Sequence, residues 1–135
     1  TNNPGVPVLN VAGIANFNQP VKIGATNLAT GYLLSVGGGI MAEEVQVRLQ
    51  PWPDYVFEAG YDLMPLAEVE QYIRENKHLP GVKPAAEIHS EGLKIGETQK
   101  AQMEKIEELY LHVIALEKRI QALESENTAL KSGKH

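Results

Sequence analysis

The chain contains no cysteine. Disulfides and thiolate metal sites are therefore excluded, and the redox compartment leaves no mark on the sequence. Aromatic residues are scarce too: one Trp, two Phe and five Tyr among 135 residues. That is thin for one large core and suits an elongated object better than a globule. No apolar run approaches the ~20 residues of a transmembrane helix, and no signal-peptide pattern is visible. Membrane insertion is not expected. Basic charge is sparse, with 12 Lys and Arg against 17 Asp and Glu and a net charge of -5. Phosphate binding needs clustered Lys and Arg, and here the basic residues lie scattered among acids, so nucleic acid is not an expected partner. The chain begins at Thr1 rather than Met and is expected to be part of something longer.

Residues 1–50 hold almost no charge before Glu43 and are rich in Gly, Val, Asn and Ala. Apolar residues alternate in short runs: Val6, Val8 and Val11; Val21 and Ile23; Leu34 and Val36; Val45, Val47 and Leu49. Period-two alternation predicts half-buried strands. The intervening Asn-Phe-Asn-Gln-Pro, Ala-Thr-Gly and Gly37-Gly38-Gly39 carry turn chemistry. A weak internal repeat sets Leu9 to Ile23 beside Leu34 to Val47, each copy reading as strand, glycine turn, short strand and β-branched strand. One such unit cannot bury both of its faces, whereas stacked repeats or several interleaved chains can. The alternative is a small antiparallel β-domain with coincidental similarity.

Residues 51–98 change character. Pro51 to Phe57 carries the lone Trp, Trp52. A helix is predicted from about Pro65, because Pro suits a first helical turn, to about Asn76. Leu66, Val69 and Ile73 share one of its faces. Pro80 forces Leu79 out of the helical region, so His78 to Val82 reads as a turn, and Pro84 to Ile88 as one more short helical turn. This is a small α/β cap, hardly able to bury a sufficient core alone.

Residues 99–131 are predicted as one helix, followed by a disordered tail at 132–135. With Ile106 at heptad position a, the a positions are Ile106, Val113, Ile120 and Asn127, and the d positions are Leu109, Leu116, Leu123 and Leu130. This unbroken 3-4 spacing is a coiled-coil seam. In a parallel, in-register arrangement each g residue meets the e residue five positions later on its neighbour. The pairs are Lys105 with Tyr110, His112 with Glu117, Arg119 with Glu124, and Glu126 with Lys131. Exposed pairs contribute only about 0–1 kcal/mol, so their role is to set orientation and register. β-branched a with Leu d and a buried Asn favour two strands. Met103, Tyr110, Leu111 and Ile114 widen the apolar face and argue for more, as contacts for the cap or a third helix. The glycine-rich β repeats upstream favour a trimer, with a dimer as the alternative.

Several motifs in this order carry a resemblance: Leu34-Ser-Val-Gly-Gly-Gly-Ile-Met-Ala-Glu-Glu-Val-Gln-Val, Trp52-Pro-Asp-Tyr-Val-Phe-Glu, Tyr72-Ile, His78-Leu-Pro-Gly, Gly96-Glu and Lys105-Ile-Glu-Glu-Leu. Over about residues 31–125 the chain resembles the C-terminal region of tail-fibre-like proteins of Bacteroidetes and their phages. The resemblance implies an elongated, fibrous α+β homotrimer. It would have an interleaved β-strand shaft, a small cap and a terminal parallel coiled coil that nucleates assembly. It also implies an extracellular place, on a virion, an injection particle or a cell surface, and a cell-surface glycan or receptor as a further partner. The layout is similar to endosialidase-type intramolecular chaperones as well. Their Ser-Asp-x-x-Leu-Lys type motif is missing, since Ser35 is followed by Val and glycines, and self-cleavage is not expected.

Chemistry-bearing groups give little else. His78, His89, His112 and His135 are too scattered for a metal motif. Asp54, Glu58 and Asp62 near Trp52 and Tyr55 have the composition of a glycosidase carboxylate pair, but solvated loop acids are the plainer reading. Gly37 to Gly39 lacks the Lys-Ser/Thr of a phosphate loop. Trp52 and Tyr55 are candidate glycan contacts; the alternative is that, with Phe57, they anchor the cap to the helix. No catalytic residue, metal or cofactor is expected, and the chain reads as a non-enzymatic structural module.

Overall fold

The computed structural model describes residues 11–25 and 30–133. The chain divides into two compact units, residues 1–45 and 46–135.

In the first unit, β1 (Val21–Ile23) pairs in parallel with β2 (Leu34–Val36), in the register Val21↔Leu34, Lys22↔Ser35 and Ile23↔Val36. Backbone bonds extend the ladder at both ends, from Val21 N–H to the Leu33 carbonyl (2.7 Å) and from Gly37 N–H to the Ile23 carbonyl (2.8 Å). Glycine is required at position 37, because a Cβ there would overlap the Gly24 carbonyl. Gly37 is thus a place of close backbone approach within one chain. The pairing also halves the repeat. The third strand of the first proposed copy lies on the first strand of the second, a step of thirteen residues from Val21 to Leu34. Residues 9 and 10, which open that first copy, lie outside the described residues. The run Val45 to Leu49 joins no ladder, so the strand expected there does not form within one chain. An extended segment gains its hydrogen bonds only from a neighbouring strand, and among the described residues none is offered.

The second unit is built around α3 (Ile95–Ser132), 38 residues and therefore roughly 57 Å long. It starts four residues earlier than the sequence pattern suggested and runs one residue into the expected tail; residues 134 and 135 lie outside the described residues. Gly96 lies in this added first turn. A Cβ at Gly96 would come within 2.7 Å of Leu49 Cδ1 and 3.0 Å of Val47 Cγ1, so Val47 and Leu49 lie directly on the first turn of the helix.

Residues 53–57 form a 3-10 turn with Pro53 at its start, where the missing N–H is no loss. Its Pro53 and Val56 are the largest fully buried side chains among the described residues, with Val56 only 1% exposed. This turn packs on α3. The short helix α1 (Leu66–Asn76) opens after Pro65, whose carbonyl accepts from Glu68 and Val69 N–H. It closes at Lys77, which adopts φ 63° and donates its N–H to the Ile73 carbonyl at 2.8 Å. A left-handed residue at this place is the usual way to end a helix. Then α2 (Ala85–Glu91) follows Pro84 and ends at Gly92, φ 82°. Both helices agree with the proline punctuation of the sequence.

Candidate interaction site: two faces of the long helix

Position on the heptad separates two faces of α3. Glu104, Glu107, Glu108 and Leu111 occupy f, b, c and f, the side opposite the a/d stripe. The cap takes this outer side. Tyr55 donates its hydroxyl proton to Glu104, and Tyr61 donates to Glu108 at 2.5 Å. The two tyrosine rings lie 6.1 Å apart, and Lys100 Nζ, another b position, sits 5.9 Å from the Tyr55 ring centre. Lys105 bonds both oxygens of Glu108, at 2.7 and 2.8 Å, and approaches Glu104 at 3.2 Å.

The electrostatics of this face follow from its packing. The bond to Glu104, then burial and the nearby acids, push the Tyr55 hydroxyl up to about 12. Tyr61 rises for the same reasons, with burial first and the bond to Glu108 next. Burial also pushes Glu104 up, but the Tyr55 hydrogen bond, Lys105 and Lys100 outweigh it and hold the carboxyl below its ordinary range. Glu107 is different. It is buried, one carboxylate oxygen has no hydrogen-bond partner among the described residues, and burial followed by the charges of Asp54 and Glu104 raises it.

On the opposite face, Ile106, Leu109, Val113, Leu116, Ile120 and Leu123 are each 46–57% exposed and Leu130 is 70% exposed. Asn127 is exposed as well. The sequence-derived seam is thus one continuous, uncovered apolar stripe. Among the described residues, Arg119, Glu124, Glu126 and Lys131 form no ion pair within the chain, so all four charges remain available to a neighbour. Glu117 accepts only a bond from Gln121 at 2.9 Å, and His112 lines a groove beside the stripe. That groove, about 800 Å³, runs between α3 and the cap, lined on the cap side by Tyr61, Met64, Leu66, Val69 and residues 79–82.

Sequence reasoning misassigned the anchors of the cap. Trp52 and Phe57 are 43% and 57% exposed; Pro53 and Val56 are buried in their place, and Tyr55 is bonded to α3 through Glu104. Nor do Met103, Tyr110, Leu111 and Ile114 act together as a landing strip. Met103 and Leu111 are half-buried, but Tyr110 remains 63% exposed and Ile114 48%. The acids of α3 receive the cap because tyrosine hydroxyls need acceptors when buried. The spacing of Glu104 and Glu108, one turn apart, was the available signal; read alone, it is a solvated face. Asp54, Glu58 and Asp62 are exposed, and the charge of Asp54 acts on Glu107. Among the described residues no group of three or more His, Asp or Glu is arranged to hold a metal ion, and His135 lies outside them. No helix among them is long and apolar enough to cross a membrane.

No protein-family model matches the chain, and no curated protein or solved structure matches it either.

Proposed function

We propose that this chain is a non-enzymatic self-association module of a surface fibre, in which the α3 seams of three copies pack in parallel and hold the upstream β segments in register. The observation that carries this reading is the division of α3 into two faces. The cap occupies the outer b/c/f side, while the a/d stripe stays open along more than three heptads. A stripe of this kind marks an interaction surface, because exposed contiguous apolar area is costly in water. The first unit supports the same reading. A two-stranded sheet with three-residue strands is marginal alone, and around it Ile14, Leu33, Ile40 and Met41 are 70–101% exposed. Additional copies of the chain supply the missing neighbours. The fibre would belong outside the cell or on a particle, as the tail-fibre-like resemblance implies.

Sedimentation velocity at micromolar concentration tests the reading. The expected result is a species of three times 14.8 kDa. Twice that mass selects the two-stranded alternative, and a monomer overturns self-association.

A second reading, a glycan-binding tip, has one observation in its favour. Trp52 is 43% exposed, and sugar rings stack on accessible aromatic faces. Tyr55 is a poorer candidate, since its hydroxyl is engaged by Glu104. Loss of a measured glycan affinity in Trp52→Ala would support this role; a glycan array with no signal would remove it.

A further inference from the structure

We infer that the groove between the cap and α3 is a socket for Tyr110 of a second copy, which makes the cap part of the inter-chain interface; this rests on the parallel seam proposed above. The groove lies on the g side of the stripe. Lys105 and His112 line it from g positions, and Ile106 and Leu109 from a and d, so it is continuous with the seam. In a parallel, in-register pair the e residue facing g of residue 105 is residue 110 of the neighbour. That places a tyrosine at the level of Leu79 and Val82.

Three features favour this occupant. First, the e positions change character along the helix: Met103 and Tyr110, then Glu117, Glu124 and Lys131. The apolar ones fall beside the cap groove and the charged ones fall beyond it, opposite His112, Arg119 and Glu126. Second, Lys105 is drawn away from a cross-chain ion pair by its own Glu108 and Glu104. Its methylene stem lies under the loop at Gly81, where a Cβ would sit 3.6 Å from Lys105 Cε, so this g residue supplies apolar wall in place of charge. Third, Tyr110 is 63% exposed in the single chain, although Glu107 beside it is buried and Leu111 is half-buried. Lys105 opposite Tyr110 makes no sense as charge pairing, unlike the three pairs that follow it along the helix, and the socket accounts for it. An aromatic side chain in a desolvated pocket at an interface centre is a typical affinity hot spot.

The test exploits the absence of cysteine. The double variant Leu79→Cys, Tyr110→Cys is oxidised at micromolar concentration and run without reductant, with each single variant as control. The expected result is a covalent oligomer from the double variant only. In parallel, Tyr110→Ala should raise the dissociation constant by about tenfold or more, read by sedimentation over a dilution series. If the wild-type chain is oligomeric but the double variant gives no inter-chain crosslink, or Tyr110→Ala associates unchanged, the socket is overturned while the seam stands. If the wild-type chain sediments as a monomer, both fall.

Discussion

Ile120→Asp is the sharpest perturbation of the seam. In one chain Ile120 is 50% exposed, so association has about half of its side chain left to bury. Full burial of an isoleucine is worth about 1.5–3 kcal/mol, which puts the lost hydrophobic gain near 1 kcal/mol per chain. The aspartate itself weighs more heavily, because a carboxylate withdrawn from water without a partner costs several kcal/mol even after relaxation. Position a brings the equivalent residues of all copies together, so these charges also repel one another. A total of about 4 kcal/mol per chain corresponds to roughly a thousandfold weaker association. Ala122→Asp provides the control. It places the same charge two residues away at the exposed c position, and replacing Ala carries its own helix-propensity cost of up to ~0.7 kcal/mol. Sedimentation velocity should show Ile120→Asp dispersed to monomer and Ala122→Asp at the wild-type mass. An Ile120→Asp protein that sediments like wild type would refute the seam. Equal dispersal by both variants would show that helix weakening, not a seam charge, was responsible.

Further predictions concern the cap. Glu107 is raised in the folded chain, so its contribution is fully present below the ordinary carboxylate range and is lost as pH rises through the folded value. Glu107→Gln should therefore melt higher than wild type above about pH 7 but not below about pH 4. At a stabilisation of about 1 kcal/mol, the low end for an unpartnered buried group, the shift is a few degrees, about 3–6 °C; a shift independent of pH would contradict the assignment. Tyr55 and Tyr61 are also raised, and by the same sign their contribution is present below pH ~10 and lost as pH rises through the folded values, about 12 for Tyr55. Tyrosinate absorbance should contain a late component that Tyr55→Phe diminishes, and its persistence in that variant would argue against the bond to Glu104. Gly96→Val should displace Val47 and Leu49 from the first turn of α3 and raise protease cleavage before Pro51; an unchanged cleavage pattern would show that the segment is not seated there.

Much of the second unit was legible in the sequence because its signals are local. Pro65 and Pro84 mark two helix starts, Asn76 precedes the left-handed Lys77, and the absence of Pro or Gly from Glu97 to Ser132 leaves α3 unbroken. The first unit was less legible. Alternation identified Val21–Ile23 and Leu34–Val36, but the same alternation at Val45–Leu49 produced no strand in the single chain. A strand needs a partner, and alternation is silent about where that partner is.

The sequence by itself determined that one long helix runs unbroken through residues 99–131 and the 3-4 stripe along it, because both depend on local spacings; its first turn, from Ile95, it did not. Only the tertiary structure decided which side of that helix the cap covers. The contacts responsible, Tyr55 to Glu104 and Tyr61 to Glu108, join residues 49 and 47 positions apart. They also determine that Pro53 and Val56 are buried while Trp52 is exposed, and that Glu107 loses its water. No short-range period encodes contacts of that separation. They follow from the fit of a 3-10 turn onto the outer face of α3, and that fit leaves the seam open.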